Sequence, residues 1–216
     1  MSAIIEKKGG ESMRCVILSG YFEGNLSAVY RPEPADFLLA ADRGLELARK
    51  AHLSPDYFIG DCDSLSAPFE GSGRILPTCK DDTDTVAALK EGLARGYREF
   101  LILGALGGRL DQTVATVQTL LFAHSCGARA RVADGRNEAF LAPPGKTSLP
   151  FREGASLSLF SLAPRTEGIT LTGAEYPLQN ACLTGDFPLG VSNRVVEKTA
   201  ELTVGCGMLL VVRSVL

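Results

Sequence analysis

Two short acidic stretches carry the residue types in this sequence that are best suited to metal and phosphate chemistry. Asp61 and Asp63 follow an apolar run, and Asp81 and Asp84 lie in a second acidic segment further along the chain. Crowded carboxylates repel one another unless a cation lies among them. Hard oxygen ligands of this kind suit Mg²⁺ held jointly with substrate phosphates. These four acids are therefore predicted to bind Mg²⁺ and to be catalytic.

The negative charge of the chain is concentrated around these acids. Residues 56–84 contain seven acids and two bases, whereas the whole chain of 216 residues has a formal net charge of −3. A mildly acidic chain without a run of bases is not expected to bind nucleic acid or an anionic membrane. No apolar stretch reaches the roughly 18 residues of a membrane-spanning helix. We therefore expect neither nucleic acid nor a membrane as a partner.

A glycine-rich stretch is the second candidate for phosphate binding. Gly107, Gly108 and Arg109 lie between the apolar residues 100–103 and a helical pattern. Strand, glycine turn and helix in this order bring backbone N–H groups and a positive helix end to an anion. Arg109 and Lys80 are the cations predicted to face the phosphate oxygens. The stretch has neither the Walker A spacing nor the GxGxxG spacing.

The surrounding elements predict an open, mostly parallel, Rossmann-like α/β sheet. Runs typical of buried parallel strands occur at residues 15–18, 37–41, 57–59 and 100–103. Ligands of such sheets bind beyond the carboxyl ends of the strands, so acids distant in sequence can converge there. Alternatively, Asp82 and Asp111 are helix caps, the other acids are solvated turn residues, and each base pairs with a neighbouring aspartate. Caps do not explain Asp61 together with Asp63.

The pattern changes after Pro143-Pro144-Gly145. Short β-rich runs follow, separated by glycine or proline and without helical periodicity, which predicts a small all-β sandwich or barrel. The predicted strands cover residues 155–162, 168–172, 194–197, 200–204 and 208–212. We therefore predict two domains, an α/β catalytic domain over residues 14–142 and a β-rich domain over residues 146–216.

Four motifs resemble those of the thiamine pyrophosphokinase family and occur in the family's order. They are Ala41-Asp42-Arg43-Gly44, Gly60-Asp61-Cys62-Asp63-Ser64, Lys80-Asp81-Asp82-Thr83-Asp84, and Gly104 with Gly107-Gly108-Arg109-Leu110-Asp111. Ser192-Asn193 matches a pair late in the family's β-rich domain. The resemblance covers about residues 14 to 212.

This resemblance implies transfer of the diphosphate group of ATP to the hydroxyl of thiamine, giving thiamine diphosphate and AMP, with Mg²⁺ required. It implies that ATP and Mg²⁺ bind to the α/β domain and thiamine to the β-rich domain. It also implies a homodimer whose thiamine sites lie between the α/β domain of one subunit and the β domain of the other. Binding roles are implied for Asp42, Gly44, Thr83, Gly104, Gly107, Gly108, Asp111, Ser192 and Asn193.

Three departures from the family pattern concern thiamine recognition rather than phosphate chemistry. Gln112 stands where histidine commonly follows the GGRxD element, Arg194 stands where an acid often follows Ser-Asn, and the chain has no Trp.

Other functions remain open from the residues alone. A DxD pair also serves metal-dependent phosphatases, in which the first Asp is a nucleophile, and nucleotide-sugar transferases, in which it binds a metal diphosphate. A third alternative is a nucleotide-binding module without turnover. Six cysteines without CxxC spacing indicate neither a zinc site nor a disulfide framework, and they favour a reduced cytoplasm.

Overall fold

A computed structural model describes residues 13–61, 71–77 and 81–215, which contain thirteen strands and four helices. In chain order these are β1 (Arg14–Tyr21), α1 (Leu26–Val29), β2 (Asp36–Ala41), α2 (Gly44–Lys50), β3 (Tyr57–Gly60), β4 (Gly73–Ile75), α3 (Asp84–Ala94), β5 (Glu99–Ala105), α4 (Leu110–Ser125), β6 (Arg129–Ala133), β7 (Asn137–Ala142), β8 (Gly145–Pro150), β9 (Ala155–Ser161), β10 (Arg165–Thr172), β11 (Leu178–Thr184), β12 (Thr199–Val204) and β13 (Leu209–Val215).

The largest sheet has nine strands in the order β4-β3-β2-β1-β5-β6-β7-β13-β9. The pairings from β4 to β6 are all parallel. The chain leaves β1 towards β2, β3 and β4, and then crosses to the other side of β1 to form β5 and β6. The direction of strand addition therefore reverses between β1 and β5, which is where sheets of this type bind their ligands.

Helices cover both faces of the parallel strands, which explains the continuous apolar runs in the sequence. On one face, Ile17 and Leu39 pack against α3 and α4. On the other, Val16 and Leu18 pack with residues of α1 and α2. All three of these β1 side chains are fully buried. No helix in the described segments is long and apolar enough to cross a membrane.

The β-rich part of the chain is a sandwich that shares one layer with the large sheet. Strand β7 pairs antiparallel with β6, and β13 and β9 continue the same sheet. The second layer is the antiparallel sheet β11-β10-β12-β8. Leu159 and Val211 from the first layer and Ile169 and Leu202 from the second form a buried apolar core between them. The predicted fold class, a parallel α/β sheet followed by an all-β sandwich, is confirmed.

Two local predictions were wrong. The segment 194–197 is not a strand, because Val195 makes only an isolated β-bridge with Ala174. The N-cap of α3 is Thr83 rather than Asp82: its backbone is extended, and its hydroxyl accepts a hydrogen bond from the Val86 N–H at 3.2 Å. That hydroxyl satisfies a helix N–H that otherwise has no partner within the helix.

Candidate active site

Two of the predicted acids lie side by side at the carboxyl edge of the parallel strands. Asp42 directly follows β2 and Asp61 directly follows β3. The backbone N–H of Asp42 donates to the Ile59 carbonyl at 2.8 Å, which fixes the end of β2 against β3. A Cβ atom on Gly60 would lie 3.0 Å from the Cα of Asp42, so the two chains approach closely. Asp42 itself has a φ of 45°, an uncommon left-handed conformation for a residue other than glycine.

The second acidic segment is tied to the same edge by a hydrogen bond. The hydroxyls of Ser19, near the end of β1, and Thr85, in the first turn of α3, are 3.0 Å apart and partly buried. Asp84 is the first residue of α3 and is half-buried, whereas Asp81 is exposed. The start of α3 therefore places Asp84 near the reversal point between β1 and β5.

Replacing Thr85 with Val tests this link, because valine keeps the shape of the side chain but removes the hydroxyl. The Ser19 hydroxyl then loses its partner, and we expect the free energy of unfolding to fall by about 1 kcal/mol. Urea denaturation measures this change. The control is Thr147→Val in β8, where no side-chain hydrogen bond to a described residue is lost. An equal effect of the two substitutions would contradict a specific role for the Ser19–Thr85 contact.

The glycine-rich turn lies flat on the end of β1. Gly104 has a φ of 81°, and a Cβ atom there would lie 2.5 Å from the Ser19 carbonyl oxygen. At Gly107 and Gly108, Cβ atoms would lie 2.7 and 2.9 Å from the ring of Tyr21. Only glycine fits this backbone, because the conformation is left-handed and the space is already occupied. The predicted phosphate turn is thus held at the reversal point.

Tyr21 supports the candidate site and could not be predicted from the sequence. It is the last residue of β1, its ring supports the glycine turn, and its hydroxyl donates a hydrogen bond to Glu23. The only available signal was an aromatic residue just after the first apolar run. Gly44, which belongs to one of the family motifs, begins α2 directly against the backbone of β1, and its role in binding stays a prediction.

Arg109 and Asp111 pair with each other at the start of α4. The Arg109 Nε and Nη2 atoms donate to Asp111 at 3.1 and 2.5 Å, and both side chains are largely exposed. The hydrogen bond to Arg109 lowers the pKa of Asp111 and raises that of the guanidinium. For Arg109 the structure therefore shows the alternative arrangement considered from the sequence, in which the base pairs with a neighbouring aspartate. A phosphate role for Arg109 stays a prediction.

The predicted metal site is only partly described. Asp63 and Lys80 lie outside the described residues. Within residues 13–61, 71–77 and 81–215, no group of three or more His, Cys, Asp or Glu side chains is positioned to hold one metal ion. Mg²⁺ binding by Asp61, Asp63, Asp81 and Asp84 therefore stays a prediction.

Two family models match this chain in the order of its two structural parts. The catalytic domain of thiamin pyrophosphokinase matches residues 32–130, and the vitamin B1 binding domain of the same enzyme matches residues 146–209. The chain belongs to the thiamine pyrophosphokinase family. The resemblance seen in the sequence motifs is confirmed.

Known thiamine pyrophosphokinases share the sequence and the architecture over most of their length. The thiamine pyrophosphokinase of Bacillus subtilis (strain 168) is 27% identical over 184 residues, which are 82% of this chain and 86% of that protein. A crystal structure of the Bacillus subtilis enzyme has a TM-score of 0.85 at 24% identity, covering 94% of this chain and 99% of that one. A thiamin pyrophosphokinase family protein from Enterococcus faecalis has a TM-score of 0.79 at 28% identity, covering 93% and 98%.

Ser192 and Asn193 lie in the segment that matches the vitamin B1 binding domain of thiamin pyrophosphokinase. The Asn193 side chain donates to the Tyr176 carbonyl at 2.8 Å and accepts from the Tyr176 N–H at 3.0 Å. The Ser192 N–H donates to the Ser158 hydroxyl, and Ser192 has a φ of 64°. Asn193 thus fixes the loop that exposes the Tyr176 ring. A direct contact of the pair with thiamine stays a prediction.

Proposed function

We propose that this chain transfers the diphosphate group of ATP to thiamine at the sheet edge formed by the ends of β1, β2, β3 and β5, with Mg²⁺ required. Membership of the thiamine pyrophosphokinase family supports the assignment of this reaction. It disfavours a phosphatase, a nucleotide-sugar transferase or a binding module without turnover. One observation supports the site. Asp42, Asp61, Asp84 and the glycine turn all lie around the reversal point between β1 and β5.

The donor set fits Mg²⁺. Asp61, Asp63, Asp81 and Asp84 offer only carboxylate oxygens, the ligand type that Mg²⁺ prefers. Because the described acids Asp61, Asp81 and Asp84 form no group of three around one point, one or two of these acids would hold each ion together with substrate phosphates. When bound, Mg²⁺ supplies charge neutralisation and orientation of the triphosphate.

The protein's own groups at this edge supply positioning and positive charge. The left-handed backbone of Gly107 and Gly108 lets the turn pack on the Tyr21 ring and brings the positive N-terminal end of α4 to the reversal point. Arg109 is exposed, so its guanidinium can exchange the Asp111 carboxylate for phosphate oxygens, and Lys80 would add a second cation. Phosphoryl transfer depends mainly on positioning and electrostatics, so these groups suffice for the chemistry.

A homodimer is part of this proposal, and the sheet topology supports it. The Asn193 backbone pairs with Leu157 of β9, which lies four strands from β5 and seven from β3. At about 4.8 Å per strand, these separations are roughly 19 and 34 Å. Ser192 and Asn193 are thus distant from Asp61 within one protomer. A thiamine site that uses both regions would be formed between two subunits.

The proposed location is the cytoplasm. Cys15, Cys126, Cys182 and Cys206, the described cysteines, are free thiols, and Cys126 and Cys206 are exposed. Exposed thiols persist in a reducing compartment. Burial raises the pKa of the Cys15 thiol to about 12, so this cysteine is unreactive.

ATP with a labelled β-phosphorus tests the reaction. We expect labelled thiamine diphosphate and unlabelled AMP in equal amounts, and only when Mg²⁺ is present. The reason is that the chain has no Walker A loop to present the terminal phosphorus for attack, whereas a site that binds the triphosphate along its length can present the β-phosphorus. Chromatography of the products measures the outcome. ADP with a thiamine monophosphate ester, or inorganic phosphate as the main product, would contradict diphosphate transfer.

A further inference from the structure

A cavity of about 1200 Å³ lies beside the large sheet, between α1 and β8. Its floor is the uncovered face of β5, β6 and β7, and its walls come from α1 and from the segment 143–152. None of the described residues predicted for ATP, Mg²⁺ or thiamine lines it. The proposed function leaves this cavity without a role.

The cavity is positively charged although the chain as a whole is acidic. Among the described lining residues, six bases face four acids, whereas the formal net charge of the chain is −3. The bases are Arg14, Arg129, Arg131, Arg136, Lys146 and Arg152, and the acids are Glu23, Glu99, Asp134 and Glu138. A concave surface with a net charge concentrates counter-ions. The cavity should therefore attract anions.

Part of this positive charge is not neutralised by ion pairs. Arg129 pairs with Glu99 at 2.6 Å, and Arg14 pairs with Asp36 at 2.9 Å outside the cavity. Asp134 accepts its hydrogen bonds from backbone N–H groups and from the Asn137 amide rather than from a base. Within the described residues, Arg136, Lys146 and Arg152 form no ion pair.

Two guanidinium groups share one carboxylate, that of Glu138, near β13. Arg131 donates to Glu138 and lies 4.6 Å from the centre of the Phe140 ring. Arg213, whose side chain is 9% exposed, reaches the same carboxylate only at 3.5 Å and donates to the Pro150 carbonyl at 2.8 Å. Burial lowers the pKa of Arg213, and repulsion from Arg152 and Arg131 lowers it further.

We propose that this cavity binds a small multivalent anion of the phosphate or polyphosphate class, held by Arg131, Arg152 and Lys146. Guanidinium groups donate in pairs to phosphate oxygens, and the Phe140 ring holds the Arg131 plane in place. The three groups come from β6, β8 and the turn after β8, and all three line the cavity. Arg131, Arg152 and Lys146 are not among the residues proposed for diphosphate transfer, although Glu23, the partner of the Tyr21 hydroxyl, lines the same cavity.

Inorganic tripolyphosphate without Mg²⁺ is the probe, and Arg109→Ala is the reference background because it weakens the other phosphate site. Calorimetry gives the affinity, and amide NMR shifts locate the binding. In this background we expect binding with shifts at residues 131 and 146–152. Adding Arg152→Gln is expected to weaken that binding about tenfold, and Arg152→Lys less, because lysine keeps the charge without the paired donors.

Arg165→Gln is the matched control, since Arg165 is an exposed arginine on β10, paired with Glu167 and outside this cavity. It should leave the affinity unchanged.

Equal affinity with and without Arg152→Gln would overturn the proposal, as would shifts confined to residues 104–111. So would a dimer, measured by light scattering, in which tripolyphosphate causes no shift at residues 146–152, because a partner chain would then fill the cavity. All of these results are independent of the labelled-ATP experiment.

Discussion

Asp61→Asn and Asp84→Asn are each expected to lower the rate of thiamine diphosphate formation at saturating ATP and Mg²⁺ by about a hundredfold or more. Each substitution removes one negative charge from the edge that is proposed to hold the metal and the triphosphate. Removing one of several repelling charges rarely unfolds a protein, so the free energy of unfolding should stay within about 1 kcal/mol of the original value. Steady-state kinetics and urea denaturation measure the two effects.

Asp82→Asn is the matched control for these variants. Asp82 lies between Asp81 and Asp84 in the sequence, yet both its carboxylate oxygens accept from the Lys90 ammonium at 2.7 Å. The pair is partly exposed, and such pairs contribute about 1 kcal/mol or less, so turnover should stay within roughly threefold of the original. If all three variants keep full activity, the metal site has been assigned to the wrong residues.

Gly44→Ala is expected to lower the free energy of unfolding by about 3 kcal/mol. The added Cβ atom would lie 1.8 Å from the Leu18 carbonyl oxygen and 2.5 Å from its carbon, both in the backbone of the central strand β1. Helix α2 would have to move away from the sheet. Helix propensity alone predicts the opposite sign, a gain of up to about 1 kcal/mol, so the direction of the change decides between the two effects. Thermal or urea denaturation measures it.

Gly135→Ala is the control for this substitution. Its Cβ atom would lie 3.2 Å from the Glu23 carbonyl oxygen, a contact that a small shift relieves. The expected loss is therefore less than about 1 kcal/mol. A Gly44→Ala variant as stable as the original chain would show that α2 is free to shift along β1.

The parallel sheet could be predicted from the sequence because its strands are buried on both faces. Cys15, Val16, Ile17 and Leu18 are all fully buried, and such runs leave an unbroken apolar pattern. The positions of Asp42 and Asp61 at strand ends could be predicted from the same pattern, because both residues come immediately after apolar runs.

The polar strands of the sandwich could not be predicted in the same way. Strand β8 (Gly145–Pro150) has one buried side chain, Leu149, and β11 (Leu178–Thr184) has one, Leu183. Neither gives the alternation that marks a half-buried strand. The insertion of β13 between β7 and β9 depends on pairing between distant segments, which no local pattern records.

The contacts that assemble the candidate site could not be predicted from the sequence either. Ser19 and Thr85 are 66 residues apart, and their hydroxyls carry no signal that distinguishes them from other surface hydroxyls. The glycines at 107 and 108 could be assigned to a tight turn. That they also make room for Tyr21 follows only from the packing of β1 against the start of α4.

The unbroken hydrogen-bond ladder from β6 through β7 and β13 to β9 has a mechanical consequence. Rotation of the sandwich relative to the α/β part would require breaking pairs such as Val132 with Ala139 and Leu141 with Leu210. The two parts of the chain are therefore expected to move as one rigid body. Any closure around the substrates within one chain has to come from loops beyond the strand ends.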